Sequence, residues 1–354
     1  MSWTKAKLSD LAEFQRGFDI RKVDFIDGDI PVISSSGLQG YHAEFKDTSP
    51  GVLIGRKGTL GTVHYIESDY WPHDTTLWVK NFKDNYPKYV YYYLKTLSLE
   101  KLDSGGANPT LNRNHIHGIS IRIPPLPTQK RIAEILSNYD DLIENNDRRI
   151  ALLEEAVHRL YREWFVRLRF PGHESVAIVD GIPGGWEKMP FEKALILQRG
   201  FDLPKKKRKD GDIPIFASTG INGYHDKAKV NAPGVVTGRS GTLGSVIYIQ
   251  EDFWPLNTTL WVKEARRVTM EFAYFLLSNF GLKNYQGGAA VPTLNRNAVH
   301  AVKILIPPKF LQIKFSYVAL HNFRQMRCLQ KQNQKLKEAR DALLPRLMSG
   351  AIEV

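Results

Sequence analysis

The chain carries two copies of a glycine-rich loop whose residue types suit contact with a polyanion. Residues 55–61 read GRKGTLG, and residues 238–244 read GRSGTLG. Three glycines let the backbone approach a partner closely, and successive amides in such a loop can bind phosphate oxygens. The candidate contacts are Arg56, Lys57 and Thr59, with Arg239, Ser240 and Thr242 in the second copy. The alternative is a tight hairpin that needs its glycines. The spacing matches neither a nucleotide-binding P-loop nor a dinucleotide fingerprint.

Two polar pairs also recur, and their side chains suit the edges of DNA bases. They are Gln15-Arg16 with Gln198-Arg199, and Asn112-Arg113 with Asn295-Arg296. In the major groove, glutamine and asparagine match adenine, while arginine matches guanine. We therefore expect these pairs to contact DNA, with a plain surface turn as the alternative.

A basic run in the second half has no counterpart in the first. Residues 205–209 read KKKRK, whereas residues 21–26 occupy the equivalent place in the first copy. We interpret the run as a flexible phosphate-binding loop, in which Lys206, Lys207 and Arg208 contribute the charge. A solvated loop remains the alternative, and the run also resembles a nuclear import signal.

No catalytic or metal-binding constellation is found in the sequence. There is no HExxH motif, no cysteine cluster and no P-loop. His73-Asp74 becomes Leu256-Asn257 in the second copy, which argues against shared catalytic chemistry. A binding protein is therefore favoured over an enzyme. The rival enzyme, a nucleotide-dependent transferase using residues 55–61, predicts that the isolated chain binds ATP or S-adenosylmethionine.

Composition and charge favour a globular protein with a polyanionic partner. The formal net charge of the 354 residues is +12. The charge is uneven, because residues 1–183 carry a net −1 and residues 184–354 a net +13. Simple solubility charge is the alternative. A single cysteine, Cys328, excludes intramolecular disulfides and fits a cytoplasmic location. No run of about eighteen apolar residues predicts a membrane span.

The sequence contains an internal repeat of one unit at a constant offset, so that residue 15 corresponds to residue 198. Between residues 15–80 and 198–263, 38 of 66 positions are identical without a gap. Short β-rich runs and one amphipathic helix predict a mixed α/β (α+β) fold for each copy. The predicted organisation is a first recognition domain (1–125), a long helix (126–168), a linker (169–185), a second recognition domain (186–308) and a second long helix (309–350).

Both long helices carry an apolar seam of alternating three- and four-residue steps. The seams run over residues 132–164 and 315–347, with net charges of −4 and +5, and Pro345 is expected to fray the last turn of the second helix. Opposite charge favours pairing of the two helices with each other, as an antiparallel coiled coil. In that pairing Asn146 faces Asn333. Two domain-plus-helix copies would then form an internal pseudo-twofold with two alike surfaces, which suits a target that repeats at a fixed distance, such as duplex DNA.

The helix termini and the repeat together resemble a known family. The first helix opens with PPLPTQKRI (124–132), contains LLEEA (152–156) and LYREWF (160–165), and is followed by FPGH (170–173). The second ends in RDALLPRLMSG (340–350). Over essentially its whole length, the chain resembles the specificity (S) subunit, HsdS, of type I restriction–modification enzymes.

That resemblance implies a non-catalytic DNA-recognition subunit. Each globular unit would read half of a bipartite DNA site, and the helices would fix the gap. Two methyltransferase (M) subunits with S-adenosylmethionine, and restriction (R) subunits with ATP and Mg²⁺, would complete the complex. The chain itself would hold no cofactor. We expect the M subunits to dock on exposed apolar residues of the helices, namely Leu142, Trp164, Phe165 and Leu344.

The two recognition units are more alike than is usual in that family. We therefore predict related half-sites and a near-palindromic target. Any difference between the half-sites should trace to Lys57/Ser240, Gln39/Asn222, His73/Leu256, Asp74/Asn257 and Asn108/Val291. The main rival is a stand-alone bipartite DNA-binding regulator without enzyme partners. A purely structural coiled-coil spacer would leave the repeated polar loops unexplained.

Overall fold

The structure, a computed structural model, describes residues 3–102, 110–287 and 292–354. Contacts divide the chain into two units, one formed by Met1–Asp147 with Lys331–Val354 and the other by Arg148–Gln330. Each unit therefore contains one copy of the repeat together with part of both long helices. The Asn108/Val291 pair of the sequence analysis lies outside the described residues.

The first unit is built from short, mostly antiparallel strands and three short helices, and its β3–β7 pair is parallel. Its strands are β1 (Thr4–Lys7), β2 (Glu13–Arg16), β3 (Ile30–Ser34), β4 (Gly37–His42), β5 (Gly51–Gly55), β6 (Val63–Ile66), β7 (Trp71–Pro72), β8 (Thr76–Asn81) and β9 (Ser120–Ile123). Its helices are α1 (Leu8–Leu11), α2 (Pro87–Thr96), α3 (Arg113–His117) and the first part of α4 (Leu126–Tyr161), with 3-10 turns at Lys22–Asp24 and Leu99–Leu102. The sheets have the orders β2-β8-β5-β6, β4-β3-β7 and β1-β9.

The second unit repeats this arrangement and adds a small hairpin before it. Its strands are β10 (Ile178–Val179), β11 (Ile182–Pro183), β12 (Glu187–Pro190), β13 (Leu195–Arg199), β14 (Ile213–Ala217), β15 (Gly220–His225), β16 (Gly234–Gly238), β17 (Val246–Ile249), β18 (Trp254–Pro255), β19 (Thr259–Ala265), β20 (Gln286–Gly287), β21 (Thr293–Leu294) and β22 (Lys303–Ile306). Its helices are α5 (Phe191–Ala194), α6 (Met270–Asn279), α7 (Arg296–Ala301) and the first part of α8 (Lys309–Met348), with 3-10 turns at His173–Ser175, Lys205–Lys207 and Leu282–Tyr285.

The sequence repeat is also a repeat of strand register. Gln15 on β2 lies opposite Trp78 on β8, and at the equivalent place in the second copy Gln198 on β13 lies opposite Trp261 on β19. The sheet order β13-β19-β16-β17 matches β2-β8-β5-β6 strand for strand. The predicted mixed fold with two similar recognition domains and two long helices is therefore confirmed.

In the first unit the two long helices run antiparallel, and a buried polar pair fixes their register. Asn146 Nδ2 donates to Asn333 Oδ1 at 2.9 Å, which confirms the predicted pairing. Asn333 Nδ2 in turn donates to Asp147 Oδ1 at 2.7 Å and to the Ile143 carbonyl oxygen at 3.2 Å. All predicted seam positions of both helices are buried or half-buried. α8 continues to Met348 through Pro345, so the expected fraying at that proline was wrong.

At equivalent positions, the long helices contact the globular domain through polar side chains in the first unit and through apolar side chains in the second. In the first unit Asp140 of α4 accepts from the Tyr92 hydroxyl and from Arg340 of α8. Burial raises the pKa of Tyr92, and its bond to Asp140 raises it further. The equivalent positions of the second unit hold Phe275, Phe323 and Val157. Phe275 and Phe323 stack with ring centroids 5.9 Å apart, so an ionic contact in one unit is an apolar contact in the other.

Three of the four apolar residues expected to be exposed for partner docking are packed instead. Phe165 is 9% exposed, and its ring lies 5.0 Å from that of Phe272. Trp164 and Leu344 are half-buried against the cores of the second and first units. Leu142 is 53% exposed, as expected. The spacing of apolar residues along a helix did not distinguish the exposed residue from the packed ones, because the hydrophobic cores of the domains include residues of the helices.

The segment predicted as a linker takes part in the core of the second unit. Phe170 is 4% exposed, and its ring lies 5.5 Å from that of Trp186. A π-helical turn at Arg162–Val166 follows α4 and leads into this segment. None of the helices in the described parts of the chain is both long enough and apolar enough to cross a membrane.

Candidate nucleic-acid interface

The loop at residues 55–61 has the shape that its glycines permit. The Gly61 N–H donates to the Gly55 carbonyl oxygen at 3.0 Å, which closes the loop. A Cβ on Gly55 would lie 2.1 Å from the Thr59 carbonyl oxygen, and Gly58 and Gly61 have φ of +76° and +72°. Side chains do not fit these positions. The glycines are thus explained by a tight turn, which leaves the side chains between them as the candidate contacts.

The backbone of this loop does not offer the anion-binding amides that we expected. The N–H groups of Arg56 and Lys57 both donate to the Thr75 carbonyl oxygen, at 2.8 and 3.1 Å. Those of Gly55 and Gly61 donate to other carbonyl oxygens within the turn. The expectation of a phosphate nest was therefore wrong for these four amides, because closing the turn already uses them.

Residues from four separate segments of the first unit converge on one cleft. The Leu111 N–H donates to the Arg56 carbonyl oxygen at 2.9 Å, which joins the glycine loop to the segment before α3. Asn112 then caps α3, its Oδ1 accepting from the Asn114 N–H at 2.9 Å. The cleft has a volume of about 270 Å³, and its lining residues are Arg16, Arg56, Leu77, Thr110, Leu111, Asn112, Arg113 and Asn114. We call it the arginine cleft.

Three guanidinium groups line the arginine cleft, and one residue, Asp74, binds two of them. Arg16 Nη2 donates to Asp74 Oδ2 at 2.9 Å, and Arg56 Nη1 donates to the Asp74 backbone oxygen at 3.3 Å. Burial lowers the pKa of Arg56, as does the positive charge of Arg16, while Asp74 opposes both. Arginine remains charged at neutral pH. The cleft is therefore net positive and lined with donors, which suits phosphates and the acceptor edge of guanine.

The second unit repeats the backbone scaffold of the arginine cleft. The Leu294 N–H donates to the Arg239 carbonyl oxygen at 2.8 Å, and Arg239 Nη1 donates to the Asn257 backbone oxygen at 3.2 Å. Asn295 caps α7, as Asn112 caps α3. Arg296 opens α7 just as Arg113 opens α3. The two units therefore present the same polar residues on the same local framework.

A histidine that the sequence analysis missed, half-buried in the first unit and buried in the second, positions this framework in both units. His117 Nε2 accepts from the Phe14 N–H at 3.1 Å, and His300 Nε2 accepts from the Leu197 N–H at 3.0 Å. Burial lowers the pKa of both imidazoles, and Arg113 and Arg296 respectively lower it further. The neutral ring thus ties α3 and α7 to the strands that carry Arg16 and Arg199. Recurrence of the histidine at the constant offset of the repeat was the signal that could have found it.

The basic run is more ordered than predicted. Lys205–Lys207 forms a 3-10 turn in the same place as Lys22–Asp24 of the first unit. Arg208 Nη2 donates to Asn222 Oδ1 at 3.0 Å, and its Nη1 donates to the Asn222 backbone oxygen. The expectation of a flexible loop was therefore wrong for Arg208, which anchors the turn to the β14–β15 hairpin. Lys206 and Lys207 are exposed.

Other predicted contacts lie outside the lining of the arginine cleft. Gln15 and Gln198 are half-buried on β2 and β13, while Lys57 and Thr59 are exposed on the glycine loop. The second copies of these loop positions, Ser240 and Thr242, are half-buried and exposed, respectively.

One group of side chains in the first unit has the spacing of metal ligands. Ligand atoms of Asp19, His73 and Asp74 lie within 4.8 Å of one another. The Asp74 carboxylate is already paired with Arg16, and the His73 ring contacts the Thr75 hydroxyl and the Ile20 carbonyl oxygen. The group is thus explained by contacts within the protein.

Comparison with known proteins places this architecture in one family. The type I restriction modification DNA specificity domain matches residues 1–155 and again residues 183–338. The MjaIX type I restriction enzyme specificity subunit of Methanocaldococcus jannaschii is 25% identical, over 99% of this chain and 94% of that protein. The HindI specificity subunit of Haemophilus influenzae is 22% identical, over 70% of this chain and 72% of that protein.

A solved structure has the same fold. The S subunit of the type I restriction-modification system from M. genitalium superimposes with a TM-score of 0.68 at 17% identity, covering 98% of this chain and 96% of that chain. Both matched segments of the family contain one glycine loop and one capped helix that carries an arginine. The chain therefore belongs to the type I restriction-modification DNA specificity family, as its sequence motifs indicated.

Proposed function

We propose that this chain is the non-catalytic DNA-recognition subunit of a type I restriction–modification complex, and that each repeat reads one half of a bipartite DNA site. One observation carries the proposal. Arg16, Arg56 and Arg113 come from three separate segments and line a single cleft, and their counterparts stand on an equivalent scaffold in the second unit. Two like sets of arginines on equivalent scaffolds fit a target with two related half-sites.

The proposed contacts follow from the hydrogen-bond donors that each side chain does not use within the described structure. The arginines offer forked donors to guanine O6 and N7 or to phosphate. The cap uses Asn112 Oδ1, so its amide NH₂ group is the part that faces a partner, and the same holds for Asn295. Further contacts to DNA would come from Gln15, Gln198, Lys57, Thr59, Ser240 and Thr242. The exposed Lys206 and Lys207 would contact phosphates without regard to sequence.

The proposed partners follow from the family. The relatives are named as specificity subunits of type I restriction enzymes. We propose that residues 1–125 and 186–308 bind DNA, while residues 126–168 and 309–350 set the gap and carry two M subunits. The exposed Leu142 is the remaining candidate for that docking. S-adenosylmethionine would bind to the M subunits, and ATP and Mg²⁺ to R subunits, in the cytoplasm.

Co-expression with the methyltransferase subunit of the source organism tests the proposal against its rivals. We expect the chain to co-purify with that subunit, and the complex to select a bipartite sequence from a pool of randomised duplexes. A chain that selects DNA with no methyltransferase bound would support the stand-alone regulator instead. Tight binding of ATP or S-adenosylmethionine by the chain alone would support the enzyme alternative.

A further inference from the structure

In the first unit, Arg16 is held by a carboxylate that is itself fixed. Asp74 is 15% exposed, against 55% for Arg16, and the two side chains meet at 2.9 Å. His73 Nδ1 lies 3.2 Å from the other carboxylate oxygen, and Arg56 binds the Asp74 backbone oxygen. The carboxylate therefore has little freedom, and it orients the Arg16 guanidinium towards the arginine cleft.

In the second unit, the equivalent arginine lacks this support. Asn257 stands in place of Asp74, and its Nδ2 donates to Asp202 Oδ1. Arg199 Nη2 lies 4.0 Å from that same oxygen, which is beyond hydrogen-bond distance, and Asp202 is 70% exposed. Leu256 replaces His73, so the neighbouring ring that borders Asp74 is also missing. The backbone scaffold is shared, yet the charge beside the arginine differs.

The difference between Asp74 and Asn257 changes which part of DNA, base edge or phosphate, suits Arg16 and Arg199. An arginine already ordered by a half-buried carboxylate loses less conformational entropy when it binds a base edge. The carboxylate also offsets its positive charge, which weakens attraction to phosphate. Its remaining N–H groups still match the two acceptors of guanine. Arg199 faces the more distant and exposed carboxylate of Asp202, so it keeps more of its charge and mobility, which suits phosphate or several different bases.

We propose that position 74/257 determines specificity, because Asp74 preorganises Arg16 to read one base pair strictly, whereas Asn257 leaves Arg199 permissive at the equivalent base pair. This inference rests on the proposed function and sharpens it. The two half-sites are related but unequal, with one position defined in the first half-site and degenerate in the second. Asp74 acts through Arg16, so it is a positioning residue.

Reciprocal substitutions test the inference in the complex with the modification subunits. The wild type, Asp74→Asn and Asn257→Asp are each used to select bound duplexes from a randomised pool, which is then sequenced. Asp74→Asn should reduce discrimination at one base pair of the first half-site by about tenfold and leave the second half-site unchanged. Asn257→Asp should sharpen the equivalent base pair of the second half-site. Asp84→Asn, an exposed carboxylate in the same unit, is the control for loss of charge.

The possible failures are distinguishable. If the wild type selects no sequence, the proposed function fails. If the wild type selects a site and folded Asp74→Asn selects the identical site, the inference is overturned while the function stands. If Asp74→Asn does not fold, the test rests on Asn257→Asp alone. The inference is then overturned if Asn257→Asp selects the same second half-site as the wild type. A merely structural role for Asp74 would weaken binding to all duplexes without altering the preference at one base pair.

Discussion

Arg56 and Arg239 occupy equivalent places, and each donates to the backbone oxygen of the residue 18 positions later. That bond leaves the rest of the guanidinium directed at the cleft. The sequence predicted these arginines because they recur between the same glycines. It did not predict the bond, since its acceptor is a backbone oxygen whose position depends on the fold of the β5–β8 region.

The separate sets of arginines in the two units predict that single substitutions act on one half-site at a time. Arg56→Ala should weaken binding to the first half-site by about 1–3 kcal/mol, which is roughly 5- to 150-fold, because a forked donor to a base or phosphate is removed. Arg239→Ala should do the same at the second half-site. Competition binding with duplexes mutated in either half-site separates the two effects.

Arg21→Ala provides the control for loss of an arginine. Arg21 is exposed and pairs with Asp24, away from the lining of the arginine cleft. Its removal should leave both half-sites recognised. Equal losses at both half-sites from Arg56→Ala would contradict the assignment of one cleft to each half-site.

His117 and His300 predict a loss of stability in acid. The folded-state pKa of His117 and His300 lies below the ordinary value of 6.5. Below that pH the unfolded chain therefore binds more protons than the folded chain, and stability falls as the pH decreases. Between about pH 7 and about pH 5, thermal unfolding should show Tm falling less steeply for the His117→Gln/His300→Gln double variant than for the wild type. An unchanged slope would show that other groups cause the acid sensitivity.

At the scale of elements, the long helices were the best-predicted part of the chain. The alternating seam and the opposite charges predicted the antiparallel register within the first unit, including the Asn146–Asn333 pair. The sequence did not reveal that Tyr161 and Phe323, outside the predicted seam, are buried. Heptad spacing describes contact between two helices, whereas these aromatic rings pack against a third element, α6.

The asparagine pair predicts a stability cost that depends on removing one partner or both. Asn146→Leu should destabilise the chain by about 1–3 kcal/mol, because Asn333 Oδ1 remains buried without its donor. Replacing both residues with leucine should recover part of that stability, since no polar group is then stranded. Urea unfolding measures both effects. Asn138→Leu, at an exposed position of α4, should be nearly neutral, and an equal cost there would contradict the argument.

The turn at Lys205–Lys207 predicts a contribution to DNA binding that is independent of sequence. Lys206→Gln with Lys207→Gln should weaken binding to all duplexes and reduce the salt slope by about 0.9 for each phosphate that is no longer neutralised. The first unit offers the reverse experiment, because Val23 occupies the place of Lys206 and is 82% exposed. Val23→Lys should steepen the slope by a similar amount. A change of base preference in either variant would contradict a phosphate role.

At the scale of the whole molecule, the internal repeat was the feature of the sequence that predicted most of the architecture. The constant offset between the two copies predicted two domains, two helices and two sets of polar contacts from the sequence alone. The offset was less informative where the copies diverge. Asp74 and Asn257 stood out as a difference, but only the structure shows that one supports an arginine and the other turns to Asp202. Likewise, only packing shows that Arg208 is anchored by Asn222.

The central claim is that two like sets of arginines, one in each unit, read two related halves of one DNA site across a fixed gap. Sequencing of methylated bases in cells that express this chain with its modification subunits tests it most directly. We predict one bipartite motif with two related half-sites and a single gap length, and loss of methylation when that gap is changed by one base pair. A continuous motif, two unrelated half-sites or methylation that tolerates any gap would contradict the account.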